Sequence, residues 1–200
     1  MPRAVDHVQR RSELAEAARR VIGRAGLEGA TIRAISEEAG FSTGVLTHYF
    51  ADKNALVLAA LSVTVERSRH KMAAHGSETG VAAIRRLMRA ELIVDDEDRV
   101  DQRVWLAFYA QAPFSDVLAA EERALDHEWR GLIIRLLAQA VEAGALRTGL
   151  DLAFEADRIL ALVDGVSAMA TFDPRYWSKR RQQDLLDRHL STLASVQRGR

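Results

Sequence analysis

The chain has 200 residues, of which 48% are hydrophobic and 28% are charged, and its 28 basic residues balance 28 acidic ones. This composition is typical of a compact globular protein and excludes intrinsic disorder, fibrous repeats and a large multidomain enzyme. There is no cysteine, which excludes a disulfide framework, a thiolate zinc site and a cysteine nucleophile.

The sequence contains no pattern typical of a membrane span or a secretory signal. Its longest apolar runs are far shorter than the roughly 18 to 20 residues needed to cross a bilayer. Residues 1–20 mix Arg and Glu with Ala, in place of an apolar signal core. We therefore expect a cytoplasmic protein with no membrane partner.

The sequence predicts an all-α fold of nine helices, because Pro is rare, β-branched runs are few, and Ala, Leu, Arg and Glu are abundant. Helical periodicity places the first four helices at about 8–25, 32–39, 43–48 and 52–75. Gly26 and Gly40 are expected to stop the first two helices. Thr31, Ser42 and Asp52 are placed to cap the second, third and fourth.

Five further helices are predicted after a break at residues 76–80. They lie at about 81–94, 100–112, 116–143, 152–172 and 179–194. The acidic run from Asp95 to Asp98 is expected to follow the end of the fifth helix, and Pro113 to close the sixth.

The most informative stretch is TIRAISEEAGFSTGVLTHYFADK, residues 31–53. Two helices of about eight and seven residues are too short to be stable alone, so they have to pack on other parts of the chain. The short turn at Gly40 sends the second of them off at a steep angle, which is the helix-turn-helix arrangement that places a helix in the major groove of DNA. The side chains expected to face inwards are Ile32, Ile35, Ala39, Leu46 and Phe50.

The residues left on the outside of the second short helix are those expected to meet DNA. They are Thr43, Gly44, Val45, Thr47 and His48. The two threonines can hydrogen-bond base edges or present a methyl group to thymine, and Val45 can make only apolar contact.

Phosphate contacts are expected around this helix, and they would fix the position of the protein on the duplex. The candidates are Thr31, Ser42, His48, Tyr49 and Lys53. Taken singly, Thr31 and Ser42 are more often plain helix caps, Tyr49 is more often a core residue and Lys53 is more often a solvated surface charge. Only the spacing of all these residues taken together favours a role in DNA binding.

The motifs TIRAISEEAG, FSTGVLTHYF and ADKNALVLAAL, in this order and spacing, resemble the DNA-binding domain of the tetracycline-repressor (TetR) family of bacterial transcription regulators. This resemblance covers residues 11–61. It implies a DNA-binding domain at 1–51, a connector helix at 52–75, and a ligand-binding and dimerisation domain at 76–200. Val45 and Thr47 depart from the residues common in the family, so the operator sequence does not carry over.

The later motifs RVWLAFYAQA, ALVDGV and DPRYWSKRRQQDLLDRHL are similar to the branch of that family that contains the choline-responsive repressor BetI. The resemblance implies a homodimer whose last two helices pair across a two-fold axis. Residues on apolar faces suited to that interface are Ile159, Val163, Val166, Leu186, Leu190 and Leu193. An intramolecular core would show the same pattern.

What the resemblance implies for function is a repressor that a small-molecule effector releases from a palindromic operator in double-stranded DNA. The effector site is expected among aromatic residues, namely Trp105, Phe108, Tyr109, Trp129 and Phe172. Aromatic residues at helical spacing are also typical of a core. An aromatic set beside a carboxylate could hold a quaternary ammonium group through cation-π contact.

Two other classes of function compete with this one. An enzyme or a metalloprotein is not expected, because the sequence has no nucleotide-binding loop, no His-Glu metal spacing and no serine-centred elbow. No cofactor other than the effector is predicted. The remaining alternative is a helical adaptor or ligand-binding protein that has lost DNA binding, which a titration against DNA would distinguish.

Overall fold

The computed structural model describes residues 2–73 and 78–195, with side chains described from 7 to 71 and from 78 to 195. These residues form nine α-helices and one 3-10 turn (Ala112–Phe114), which confirms the predicted all-α class and helix count. The helices are α1 (Pro2–Gly29), α2 (Ile32–Ala39), α3 (Thr43–Tyr49), α4 (Lys53–Ala73), α5 (Gly80–Ala90), α6 (Asp96–Gln111), α7 (Asp116–Glu142), α8 (Leu152–Phe172) and α9 (Lys179–Thr192). No helix in the described ranges is long and apolar enough to cross a membrane.

The acidic run between α5 and α6 belongs to a different helix from the one expected. α5 ends at Ala90, and Asp95 caps α6: its side chain accepts a hydrogen bond from the backbone N–H of Asp98 at 2.8 Å. The side chain of Asp98 accepts from the backbone N–H of Asp95 at 3.2 Å, which completes a capping box. Carboxylates are stabilised at a helix N-terminus by its dipole, so the run starts α6 earlier than periodicity predicts.

The described residues form two compact units. The first contains 2–69 and 95–121, and its core takes apolar side chains from α1, α2, α3, α4 and α6. The second contains 70–73, 78–94 and 122–195, with a core from α5, α7, α8 and α9. The functional division at residues 51 and 75 stays a prediction, and the predicted helix end at His75 and the break at Gly76 lie outside the described residues.

α1 and α6 approach each other closely in the first unit. A Cβ added at Gly23 would lie 2.5 Å from a side-chain carbon of Val100, so only glycine permits this contact. Arg103 donates to the backbone carbonyl of Gly23 at 3.0 Å. The backbone of α1 leaves the helical conformation at Gly26 (φ 68°), where the sequence predicts the helix to stop.

Candidate nucleic-acid interface

α2 and α3 begin at the residues that the sequence predicts as caps. The side chain of Thr31 accepts a hydrogen bond from the backbone N–H of Ala34 at 3.1 Å. Gly40 ends α2 with φ of 71°, a left-handed conformation that glycine adopts without steric cost. Ser42 is the N-cap residue of α3, but its exposed hydroxyl makes no cap hydrogen bond within the described chain.

Three apolar side chains hold α2 and α3 on the core of the first unit. Ile35, Leu46 and Phe50 are buried, as predicted, and belong to one cluster with α1 and α4. Ile32 differs from the prediction because half of its surface is exposed. Ile32 lines an open groove of about 380 Å³ instead of entering the core. Ser36, four residues further along α2, is buried.

The outer face of α3 is open to solvent. Thr43, Gly44, Thr47 and His48 are exposed, as predicted. The predicted outward placement of Val45 is corrected, because this side chain is half-buried against the core next to Leu46. The geometry therefore presents two threonines, a glycine and a histidine on one short, firmly anchored helix.

The hydroxyl of Thr47 is engaged by its own helix. Its Oγ1 donates towards the backbone carbonyl of Gly44 at 3.2 Å and that of Thr43 at 3.4 Å. Since a hydroxyl has one hydrogen, Thr47 in this conformation can offer a base only its acceptor lone pairs or its methyl group. Thr43 is the threonine better suited to donate to a base edge.

The two candidate phosphate ligands at the end of α3 and the start of α4 each have a partner on α1. The hydroxyl of Tyr49 lies 2.8 Å from Nδ1 of His7, and Nζ of Lys53 lies 2.9 Å from a carboxylate oxygen of Glu28. The second pair is exposed on both sides, so it stabilises the fold by no more than about 1 kcal/mol and can yield to a phosphate. Sequence reasoning missed His7, since no local pattern links residues 42 positions apart.

Charged side chains brace α1 against α2. Glu38 on α2 accepts from Nε of Arg20 at 2.6 Å and also pairs with Arg24. These hydrogen bonds, with Arg24 the stronger influence, lower the pKa of the Glu38 carboxyl below its usual value. Because α2 supports α3, this brace helps to fix the direction of the exposed face.

A buried arginine joins α1 to α6 in the same unit. Arg19 is only 1% exposed and donates to Asp101 at 2.6 Å, to Glu97 at 2.7 Å and to Glu16 at 2.9 Å. Arg67 on α4 donates to the other oxygen of Asp101 at 3.1 Å. Burial raises the pKa of Asp101 although both arginines oppose the change. The network connects three helices of the unit that carries α3.

The aromatic residues predicted at the effector site are divided between the two units. Trp105, Phe108 and Tyr109 lie on α6 in the first unit, with ring centroids 5.6 to 6.0 Å apart. Phe108 is fully buried, which is the core role that the sequence left open. In the second unit Trp129 packs against the core, whereas Phe172 is 71% exposed.

Two carboxyl groups of the second unit have raised pKa values. Burial, followed by the charges of Asp164 on α8 and of Asp126 one turn along α7, raises the pKa of Glu122. Asp164 on α8 keeps part of its surface exposed to solvent, but its neighbours remove much of the water around its carboxyl, and this desolvation, with Asp126 as a smaller cause, raises its pKa to about 6. Trp129 follows Asp126 on the same face of α7. The described residues hold no group of His, Asp and Glu arranged for a metal ion.

The raised pKa of Asp164 gives a pH-dependent stability. Above pH 6 its carboxylate is ionised in unfavourable surroundings, and this penalty disappears as the pH falls towards 4. We expect Asp164→Asn to raise the melting temperature by roughly 2 °C at pH 8 and to leave it unchanged at pH 4. Thermal unfolding followed by circular dichroism measures this, with Asp184→Asn on α9 as the control for removing a surface carboxylate. An equal shift at both pH values would contradict the assignment.

The residues predicted at the dimer interface are core residues of one chain. Each is at most 5% exposed, so none has surface to offer a second subunit; they are Ile159, Val163, Val166, Leu186, Leu190 and Leu193. The periodicity that suggested an interface is that of the intramolecular core, the alternative that the sequence left open.

α8 has a second apolar face, and this one is exposed. We call it the α8 stripe; it consists of Phe154, Ala161, Gly165, Met169 and Phe172. Phe154 is 58% exposed, and no described atom would lie within 4 Å of a Cβ at Gly165. Small residues between aromatic ones leave a flat strip that a second helix can approach closely, and apolar patches of this kind mark protein interfaces.

The anchored α2–α3 pair, its exposed outer face and a separate helical unit define a helix-turn-helix DNA-binding protein. Comparison with known proteins agrees. Residues 14–60 match the model of bacterial regulatory proteins of the tetR family, and residues 81–195 match the C-terminal model of BetI-type transcriptional repressors. The chain belongs to the TetR family of transcriptional regulators, as its sequence motifs predict.

Individual relatives agree with this assignment. The HTH-type transcriptional regulator PksA of Bacillus subtilis is 32% identical over 196 residues, which cover 96% of this chain and 94% of PksA. BetI of Burkholderia thailandensis is 31% identical over 149 residues, 72% of this chain and 73% of that protein. A regulator from Saccharomonospora viridis in complex with choline shares the fold, with a TM-score of 0.86 at 21% identity over 94% of this chain and 99% of that one.

Proposed function

We propose that the chain is a homodimeric repressor that acts in the bacterial cytoplasm and leaves a near-palindromic operator when a small organic effector binds. The observation that carries the proposal is the outer face of α3, which is exposed although Leu46 and Phe50 anchor the same segment in the core. Side chains held on a rigid scaffold keep the geometry that base recognition needs.

Each α3 would enter the major groove with its first turn towards the duplex. Thr43 and Gly44 lie there, and the missing side chain of Gly44 allows the backbone to come close to DNA. Thr31, Ser42, Tyr49 and Lys53 would hold phosphates on either side. Two such helices about 34 Å apart would reach successive major grooves, which is why a two-fold symmetric site is proposed.

The α8 stripe is the proposed contact between subunits. It extends over about five turns of α8 and is apolar apart from Arg158, whose guanidinium lies over the ring of Phe154. Gly165 near its middle permits close packing of two helices across a two-fold axis. This proposal keeps α8 in the dimerisation region but moves the contact from its buried face to its exposed face, and it assigns the predicted α9 residues to the core of their own chain.

An organic cation is the proposed class of effector. The S. viridis regulator that shares this fold was solved with choline. In the present chain the acidic groups Glu122, Asp126 and Asp164 and the ring of Trp129 supply negative charge and an aromatic face within one unit. Occupation of such a site would act on DNA affinity through α4 and α7, the two helices within which the chain passes from one unit to the other.

One titration tests the proposed function. Purified protein is titrated by fluorescence anisotropy into DNA fragments that flank its gene, and a symmetric site is sought by selection from a random DNA pool. We expect nanomolar affinity for one fragment, a two-fold symmetric consensus and release on addition of choline or a related quaternary ammonium ion. Failure to bind any fragment more tightly than random DNA would support the alternative of a helical protein that has lost DNA binding.

The residues around α3 are expected to divide into two classes. Lys53→Gln should weaken binding to all sequences alike and reduce the slope of log affinity against log salt by about one, because one phosphate contact is lost. Thr43→Ala should change the preferred base at one position of each half-site. Competition titrations with single-base operator variants measure both effects. A uniform loss from Thr43→Ala would contradict its proposed role in base recognition.

A further inference from the structure

Three rings form a cluster between the N-terminal part of α1 and the end of α3. The ring centroids of His7 and Tyr49 are 5.7 Å apart, those of His48 and Tyr49 are 5.5 Å apart, and those of the two histidines are 6.3 Å apart. Nδ1 of His7 and the hydroxyl of Tyr49 are within hydrogen-bonding distance, at 2.8 Å. Both histidines are exposed, so burial in the core does not account for this arrangement.

The chemistry of the phenol limits how Tyr49 can serve two partners. Its hydroxyl has one hydrogen to donate and two lone pairs to accept with. A DNA phosphate offers only acceptor oxygens, so a Tyr49 that binds phosphate has to donate its hydrogen to the phosphate. The phenolic oxygen can then only accept from His7, whose Nδ1 must carry a hydrogen. A neutral imidazole carries a hydrogen on one of its two nitrogens, and an imidazolium carries one on each.

We propose that His7 is a positioning residue for DNA binding, which donates from Nδ1 to the hydroxyl of Tyr49, directs that hydroxyl to a phosphate and favours binding at low pH. The inference rests on the proposed phosphate contact of Tyr49. The imidazolium form of His7 always has the required Nδ1 hydrogen, and it adds a positive charge beside the phosphate. DNA binding and protonation of His7 therefore strengthen each other.

The other charged or titratable groups around His7 set the background for this effect. His48 and Tyr49 face it from α3, and Arg10 and Arg11 follow it on the next turn of α1. Arginine stays charged in proteins, so it adds a constant attraction for phosphate that does not vary with pH. His48 can add a pH dependence of its own. Removing the titration of His7 should therefore reduce the pH dependence of binding without abolishing it.

A double-mutant cycle tests whether His7 acts through Tyr49. Operator affinity is measured at pH 7 for His7→Ala, Tyr49→Phe and the double variant, with circular dichroism to establish that each is folded. Each single change should weaken binding about five-fold, the value of one hydrogen bond. The double variant should bind close to Tyr49→Phe alone, with at most the small further loss that the charge of His7 contributes, because both changes remove the same hydrogen bond.

A conservative variant separates hydrogen bonding from titration. His7→Asn places an amide nitrogen near the position of Nδ1, where it can donate to Tyr49 at any pH. This variant should bind within about two-fold of the wild type at pH 8. As the pH falls to 6, the affinity of the wild type should rise more steeply than that of His7→Asn. His127→Asn, which removes an exposed histidine of α7, is the matched control and should keep the wild-type slope.

The outcomes distinguish this inference from the proposed function. Additive losses in the double variant, or equal pH slopes for wild type and His7→Asn, would overturn the positioning role. If Tyr49→Phe weakens binding and His7→Ala does not, the inference fails while the phosphate contact stands. If Tyr49→Phe binds as tightly as the wild type, the proposed phosphate contact itself fails.

Discussion

Gly165→Arg is expected to convert the proposed dimer into a folded monomer that binds the operator roughly 100-fold more weakly, or worse, because the second half-site contact no longer adds to the first. Within one chain the arginine meets no described atom near its Cβ, and replacing glycine inside a helix favours the helix by up to about 1 kcal/mol. In the dimer it would push two α8 stripes apart at their closest point. The change thus separates dimerisation from folding.

Three measurements test this expectation. Light scattering during gel filtration gives the mass, circular dichroism gives the melting temperature, and anisotropy gives the affinity for the operator. Ala153→Arg is the matched control: it adds the same side chain to an exposed position of α8, about 100° round the helix from Phe154 and off the stripe. If the Gly165→Arg variant remains a dimer and binds the operator as the wild type does, the proposed interface is wrong.

The helix-turn-helix could be predicted because its signals are local. Thr31 caps the start of α2 with its side chain, and Gly40 ends the helix with a left-handed backbone conformation. Both residues act on backbone groups only a few positions away. The buried positions Ile35 and Leu46 follow from the helical period once those bounds are known. The exposed face of α3 then follows by exclusion, apart from Val45, which lies at the edge of the buried side.

The dimer contact could not be chosen from the sequence because α8 is apolar on two sides. The helical spacing of apolar residues predicts a buried face at Ile159 and Val163, and it predicts one equally well at Phe154 and Gly165. Which of them meets the core of its own chain depends on where α7 and α9 pack. Only the structure contains that information, and it assigns the face with the branched side chains to the core.

The sequence also could not predict contacts between residues that are distant in the chain. His7 meets Tyr49 across 42 positions, and Arg19 meets Asp101 across 82. The sequence places Arg19 next to the buried Ala18 on α1, where an arginine normally turns to solvent. It is buried here because α6 brings two carboxylates to it, and no periodicity encodes such a partner.

Arg19→Met should have the largest effect on stability of any change considered, lowering the free energy of unfolding by about 3 to 5 kcal/mol. Methionine fills most of the space that the arginine side chain occupies, but it leaves Asp101, Glu97 and Glu16 without the guanidinium that neutralises them. Arg67 still pairs with Asp101, which favours the lower end of this range. Denaturation by urea at fixed protein concentration, followed by circular dichroism, measures the change.

The electrostatic cause can be separated from lost packing. Burial already raises the pKa of Asp101, and without Arg19 it should rise further. The deficit of Arg19→Met should therefore shrink as the pH falls and this carboxylate takes up a proton. Adding Asp101→Asn should recover much of the stability at pH 7, because it removes the unpaired buried charge. Arg11→Met, on the exposed side of α1, should change stability by less than about 0.5 kcal/mol. A deficit that is independent of pH and unaffected by Asp101→Asn would assign the role of Arg19 to packing instead.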